Sequence, residues 1–371
     1  MENKFSKDSQ NRYYNPNTFN SVDALLAYVI MLFAFALTSY GLPRLIKLIN
    51  LTAVIKDYFL LQIILSFISQ GLILLVALIF CKVKKVAPFK GDGYHFNLST
   101  IDVLFSVMLI FGVGICFTSL HYEFFDNMTG IFGDLGLEID SSIIEKSNPL
   151  YILIYSFIIV PLFPAICEEL LFRGVVMRGL EEKGLTFAVI FSSLLFALMH
   201  GSVGMIILQF LLGLAISIVV VITKNHLYGA IMHFSTNFFI GIFTALPEIV
   251  GESNVGFKYI ASAFISIFGI VFLILSTYYF AKKIMAKYKN KILNVKSKHN
   301  AYENVEEMLI KDQNDNVYTK YFDELDGCVL GANLQFLYKD KFVKINGKSK
   351  DKLFYILLPI SLIVAIVCLF M

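Results

Sequence analysis

Tryptophan is missing altogether from this 371-residue chain, and charge is scarce: Asp, Glu, Lys and Arg together make up 16%, against about 25% in soluble globular proteins. Cysteine is limited to five residues, at positions 81, 116, 167, 328 and 368. They form no CxxC pair and no metal-like spacing. Four lie in or beside apolar runs, where cysteine behaves as a small hydrophobe, so no disulfide framework is expected. What fills the space left by charge is apolar. Hydrophobic residues reach 57% and the mean hydropathy is +0.71, more apolar surface than one aqueous core can bury. A cytosolic enzyme, a disordered protein and a secreted disulfide scaffold are excluded on that ground. The net charge of +3 is unremarkable, and no nucleic-acid partner is expected. The basic residues split into 27 Lys and 4 Arg. With the abundance of Asn, Ile and Phe, this reflects AT-rich codons and points to a low-GC bacterium.

Apolar runs of the length that crosses a bilayer fall at about 22–42, 58–81, 101–121, 150–172, 185–200, 203–223, 227–246, 259–281 and 353–371. The expected fold class is an all-α polytopic membrane protein with eight or nine transmembrane helices in contact with the lipid bilayer. The first run begins too late and runs too long for a signal peptide. Lys82, Lys84, Lys85 and Lys90 follow the second run; Arg173, Arg178 and Lys183 follow the fourth; Lys224 follows the sixth; and 15 Lys lie between 282 and 352. All share one side if each run crosses once. The segment 122–149 has six acids and one base, Lys146, and falls on the other side. The positive side is cytoplasmic, which places the N-terminus in the cytoplasm of a bacterial cell membrane protein. Arg44, Lys47 and Lys56 break the pattern, and LPRLIKLINLTAVIK reads as an interfacial amphipathic helix.

Four regions are expected: N-terminal helices over 1–149, a functional core over 150–281, a cytoplasmic polar segment over 282–352, and a last transmembrane helix over 353–371. The polar segment alternates in places and holds the turn dipeptides Asp326-Gly327 and Asn346-Gly347. A small β-hairpin and a disordered linker both fit it.

A charge in mid-membrane costs about 2.5–3.5 kcal/mol on insertion scales, so polar residues inside apolar runs carry information. They are Glu168, Glu169 and Arg173 in PAICEELLFRG, His200 in LLFALMHG, and His233 and Asn237 in YGAIMHFSTNF. Asp23, Asp102 and Lys224 lie at the ends of runs, where water is expected to reach them. Glu169 and Arg173 are i, i+4 and can pair on one helix face; so spaced, His233 and Asn237 also share a face. If the fourth run continues as one helix to a turn near Gly184, Glu168 lies 16 residues before the turn and His200 lies 16 after it. Both then sit about 24 Å from the turn and face each other across a helical hairpin. His233 and Asn237 fall about 10–17 Å along the helix that starts near His226. A carboxylate, two imidazoles and an amide can thus converge at one level. Pro161 and Pro164 are expected to bend or break the helix just before the glutamates. Taken singly, each of these residues has a plain structural reading: a histidine or Asn237 as interhelical hydrogen-bonding residue, Glu169–Arg173 as a structural pair.

The pattern EExxxR, FxxxH, HxxxN resembles that of the CAAX prenyl protease and bacteriocin-processing family, the CPBP intramembrane glutamic endopeptidases. Here it reads Glu168-Glu169-Leu-Leu-Phe-Arg173, Phe196-Ala-Leu-Met-His200 and His233-Phe-Ser-Thr-Asn237, within roughly residues 150–240. The resemblance implies hydrolysis of a peptide bond near the membrane surface by a water activated without a metal or other cofactor. By position, Glu168 is the general base, His200 helps to position and deprotonate the water, and His233 with Asn237 forms the oxyanion hole. Glu169 and Arg173 support them. A peptide or membrane-protein substrate is implied. Three alternatives stay open: a zinc protease using Glu168, His200 and His233 as ligands, although HExxH is absent; a regulatory or immunity protein that binds a peptide or sensor partner; and a transporter, for which no inverted sequence repeat is found.

Overall fold

The structure, a computed structural model, describes residues 19–49, 57–89, 93–132, 148–201, 205–250, 255–298, 328–330, 336–338 and 348–369. Each of the nine apolar runs contains a helix. In chain order they are α1 (Ser21–Ala36), α2 (Leu42–Leu48), α3 (Tyr58–Val83), α4 (Thr100–Phe132), α5 (Pro149–Leu180), α6 (Leu185–Met199), α7 (Ile206–Thr223), α8 (His226–Val250), α9 (Val255–Lys298) and α10 (Lys348–Leu369). α2 continues α1 through a π-helical turn, Leu37–Gly41. Among the described residues, five helices are long and apolar enough to cross a membrane, and three shorter apolar helices accompany them. The expected loop over 122–149 begins as helix, since α4 runs on to Phe132, and α9 continues past Ala281 to Lys298. In the polar segment, β1 (Cys328–Leu330) pairs antiparallel with β2 (Phe336–Tyr338), Val329 opposite Leu337. Both turn dipeptides lie outside the described residues.

Helix starts are set by side chains. Asn20 Oδ1 accepts from the Asp23 backbone N–H, and Asp23 Oδ2 accepts from that of Asn20, both at 2.9 Å, a reciprocal cap that satisfies two otherwise orphaned donors. Asp57 caps α3 through Phe59 and Leu60. Its other oxygen accepts from the Asn148 backbone N–H at 2.6 Å, so α3 and α5 begin at the same end of the bundle. The opposite end gathers basic residues. Lys84 pairs there with Asp23 at 2.6 Å, and Asn225 clamps the 93–99 connection by bonding both the N–H and the carbonyl of His95. Asp102 also lies at this end. It is buried rather than wetted, because Tyr279 and Lys283 of α9 both donate to its carboxylate.

Two features position the centre of the molecule. Every residue of α5 from Cys167 to Leu180 is buried, as expected of a helix surrounded by others; α1, α3, α6 and α8 pack against it. α10 closes the outside of α1 and α6, with Lys183 Nζ 4.7 Å above the Phe354 ring. α4 and α9 meet at close range. A Cβ on Gly112 would fall 2.6 Å from the Leu273 backbone nitrogen, whereas one on Gly114 would meet nothing within 4 Å. Gly112→Ala should therefore destabilise the fold by about 1–3 kcal/mol through overpacking, while Gly114→Ala, which removes a poor helix former, is neutral or stabilising. Thermal unfolding of the two variants in the same detergent checks this; equal midpoints would contradict the close approach.

Candidate functional site

α5 carries the glutamates. Its prolines do not break it: the helix is continuous from Pro149 to Leu180, with a π-helical stretch, Tyr155–Ile159, just before Pro161. Pro164 has no N–H to give to the Val160 carbonyl. Asn237 Nδ2 on α8 donates to that carbonyl at 3.3 Å. A second π-helical stretch, Leu170–Met177, follows the glutamates directly, and such stretches gather at functional sites.

The hairpin forms as its spacing predicts. A short 3-10 turn, Glu181–Lys183, leads into Gly184, whose φ of +109° suits glycine. The ring of Phe172, twelve residues before Gly184, meets that of Phe196, twelve after it, edge-to-face at 5.2 Å. One turn further from Gly184 stand Glu168 and His200. His200 ends α6 and is followed by Gly201 at φ +63°, a left-handed helix stop. His200 Nδ1 lies 2.8 Å from the Phe196 carbonyl oxygen. A carbonyl only accepts, so Nδ1 carries the proton and Nε2 of a neutral ring keeps its lone pair.

Glu169 sits at the centre of a buried ionic network. Its Oε1 accepts from Arg173 Nη1 at 2.8 Å and from His233 Nδ1 at 2.9 Å. Arg173 also donates from Nη2 to the Gly213 carbonyl at 3.0 Å, and its guanidinium lies 4.7 Å from the centre of the Phe196 ring. Phe196 in turn touches the rings of His200 and His233, at 4.8 and 5.6 Å. Close helix approach makes this possible: a Cβ on Gly229 would lie 2.9 Å from Glu169 Oε2. With Nδ1 committed to Glu169, His233 turns Nε2 toward Glu168, 3.9 Å from Oε2. Glu168 is buried and accepts from Gln70 Nε2 of α3 at 2.8 Å on Oε1. Glu168 Oε2 is buried with no hydrogen bond to any described residue.

The six residues singled out in the sequence thus lie on α5, on α8 and at the end of α6; five of them gather around Phe196 and the Glu pair, while Asn237 reaches the Val160 carbonyl. Gln70 and Gly229 join them unannounced. Gln70 is a neutral amide, so it escapes any census of ionisable groups in apolar runs, though it interrupts FISQGLILL as plainly as a charge would. Gly229 carries no sequence signal that separates it from the other 22 glycines. Among the described residues no three His, Cys, Asp or Glu side chains are grouped so as to hold a metal ion. The arrangement offers a buried carboxylate oxygen with free lone pairs and an imidazole with a free Nε2, while His233 and Asn237, on one helix face, bond Glu169 and the Val160 carbonyl.

Residues 149–239 match the family model for type II CAAX prenyl endopeptidase Rce1-like proteins. The match runs from the first residue of α5 to two residues beyond Asn237, and contains all six residues. No curated protein and no solved structure matches the chain.

Proposed function

We propose that this member of the CAAX protease family, a membrane-embedded hydrolase, is an intramembrane peptidase that uses Glu168 as general base toward a water molecule. The observation that carries the reading is Glu168 Oε2: a buried carboxylate oxygen without a hydrogen bond, 3.9 Å from His233 Nε2, on the helix that also holds the ion pair. A buried, unpaired acceptor is costly, and a site that binds a water there recovers that cost on use.

In this reading water gives a proton to Glu168 Oε2 while its oxygen attacks the peptide carbonyl carbon. His200 Nε2, left basic by the Nδ1 bond to Phe196, holds the water's other proton and fixes the approach. The carbonyl oxygen gains charge and takes N–H bonds from His233 Nε2 and Asn237 Nδ2. Because Nδ1 already donates to Glu169, an Nε2–H exists only on a doubly protonated ring, and the flanking glutamates supply the counter-charge. The carbon–nitrogen bond then breaks, and Glu168 returns its proton to the leaving amine. In this reading the chemistry needs no metal. The basic end of the bundle faces the cytoplasm of a bacterial cell, and the substrate is a peptide or membrane protein presented near the membrane surface. Domain boundaries near 149 and 281 enclose the hydrolytic core, and one near 352 separates the polar segment from the last helix.

His233→Ala and Asn237→Ala test the oxyanion assignment. Each should lower kcat by about 100- to 1,000-fold with little change in KM, and the double variant should lose less than the sum. The Asn237 bond to Val160 supports a competing structural role, which forecasts a lower melting temperature and an intact kcat. Measuring both quantities on one preparation separates the two; an unstable Asn237→Ala protein with normal kcat removes Asn237 from the oxyanion hole.

A further inference from the structure

We propose that Gln70, on α3 and outside the family-matched segment, is a positioning residue for Glu168: it pins one carboxylate oxygen so that the other meets the water. The inference rests on the general-base reading of Glu168 given above.

Gln70 stands near the middle of α3, in a run with no charge between Tyr58 and Cys81. An amide carried into such a run is costly unless it is bonded. Its Nε2 donates to Glu168 Oε1 at 2.8 Å. The orientation of the amide follows from chemistry, because an ionised carboxylate only accepts, so nitrogen and not oxygen must face it. The terminal torsion of a glutamate is broad and roughly two-fold. Freed of Gln70, the carboxylate can swing, and either oxygen can turn to the His233 ring, whose Nε2 lies 3.9 Å away. Held by Gln70, Oε1 is occupied and Oε2 keeps its lone pairs. Gln70 Oε1 is itself buried without a hydrogen bond to any described residue.

Among the described residues, Gln70 makes the one hydrogen bond to the Glu168 carboxylate. Arg173 and His233 Nδ1 both spend themselves on Glu169. The general base is thus oriented from a helix that the family match leaves out, which makes α3 part of the catalytic unit.

The test uses the full-length chain in nanodiscs. Its reporter is a quenched fluorescent peptide built on a cleavage that cells make with the wild type and not with Glu168→Ala. Gln70→Met keeps the length and removes the donor. It should lower kcat by about 10- to 100-fold, the range for losing a hydrogen bond to a charged group, with KM unchanged. Gln70→His, whose Nε2 falls near the position of the glutamine Nε2, should recover most of that loss. If Gln70→Met does not fold, Gln70→Leu carries the same expectation, since it too lacks the donor. Wild-type kcat in a folded Gln70→Met protein, or a Gln70→His protein no better than Gln70→Met, overturns the proposal. A lower melting temperature with intact kcat does so too, and leaves Gln70 as a tie between α3 and α5. Glu168→Gln in the same assay separates the two readings. If it is inactive while Gln70→Met is normal, only the role of Gln70 falls; if Glu168→Gln turns over, the general-base reading falls with it.

Discussion

Glu168→Gln should lower turnover by about 100- to 10,000-fold, the span that general acid–base catalysis supplies, in a protein that still inserts and stays monodisperse in detergent. Glutamine keeps the volume of the side chain, and its carbonyl can still accept from Gln70, but it cannot take a proton from water. The variant also removes a buried carboxyl, so its melting temperature should match or exceed that of the wild type. His200→Ala should lose turnover on the same scale, because the basic Nε2 disappears while the Phe196 carbonyl it served stays at the end of a capped helix. Near-normal turnover in either folded variant would remove that residue from water activation.

Arg173→Met should cost about 3–5 kcal/mol of stability, because it leaves Glu169 as a buried carboxylate stripped of its closest cation. Glu169 is fully buried and Arg173 only 1% exposed, so solvent cannot screen the loss. The change also takes the donor from the Gly213 carbonyl and the guanidinium from the face of Phe196. Pairing it with Glu169→Gln removes the orphaned charge and should restore most of the stability. Activity should not return with it, since a neutral glutamine no longer holds His233 Nδ1 against a negative charge. Denaturant unfolding of the single and double variants, with kcat measured alongside, checks both halves. A single variant within about 1 kcal/mol of the wild type would contradict the account of the ion pair.

The glutamates, the arginine, the histidines and Asn237 were legible in the sequence because polar groups in mid-membrane are expensive and therefore few. The hairpin register was legible as well, since counting residues on either side of Gly184 needs only the helical rise, and the Phe172–Phe196 contact at equal counts agrees with it. What the chain conceals follows from how the helices meet. Gln70 acts across a contact 98 residues away in sequence, which no local pattern announces. Gly112 and Gly229 matter only because of what approaches them. Asp102, read as a wetted end, is buried because Tyr279 and Lys283 arrive from a helix far along the chain. Pro161 and Pro164 read as a bend or a break; the helix stays continuous, with a π-helical stretch before Pro161 and the Asn237 amide on the carbonyl that Pro164 leaves free, and the difference between 3.6 residues per turn and a wider one is too small to see in a hydrophobic pattern.

The central claim is that this protein cleaves peptide bonds through Glu168, and terminal peptidomics tests it most directly. Membranes holding equal amounts of the wild-type protein and of Glu168→Ala are compared for new peptide ends. A set of termini present with the wild type and missing with the variant is the predicted result; identical termini in both would contradict it.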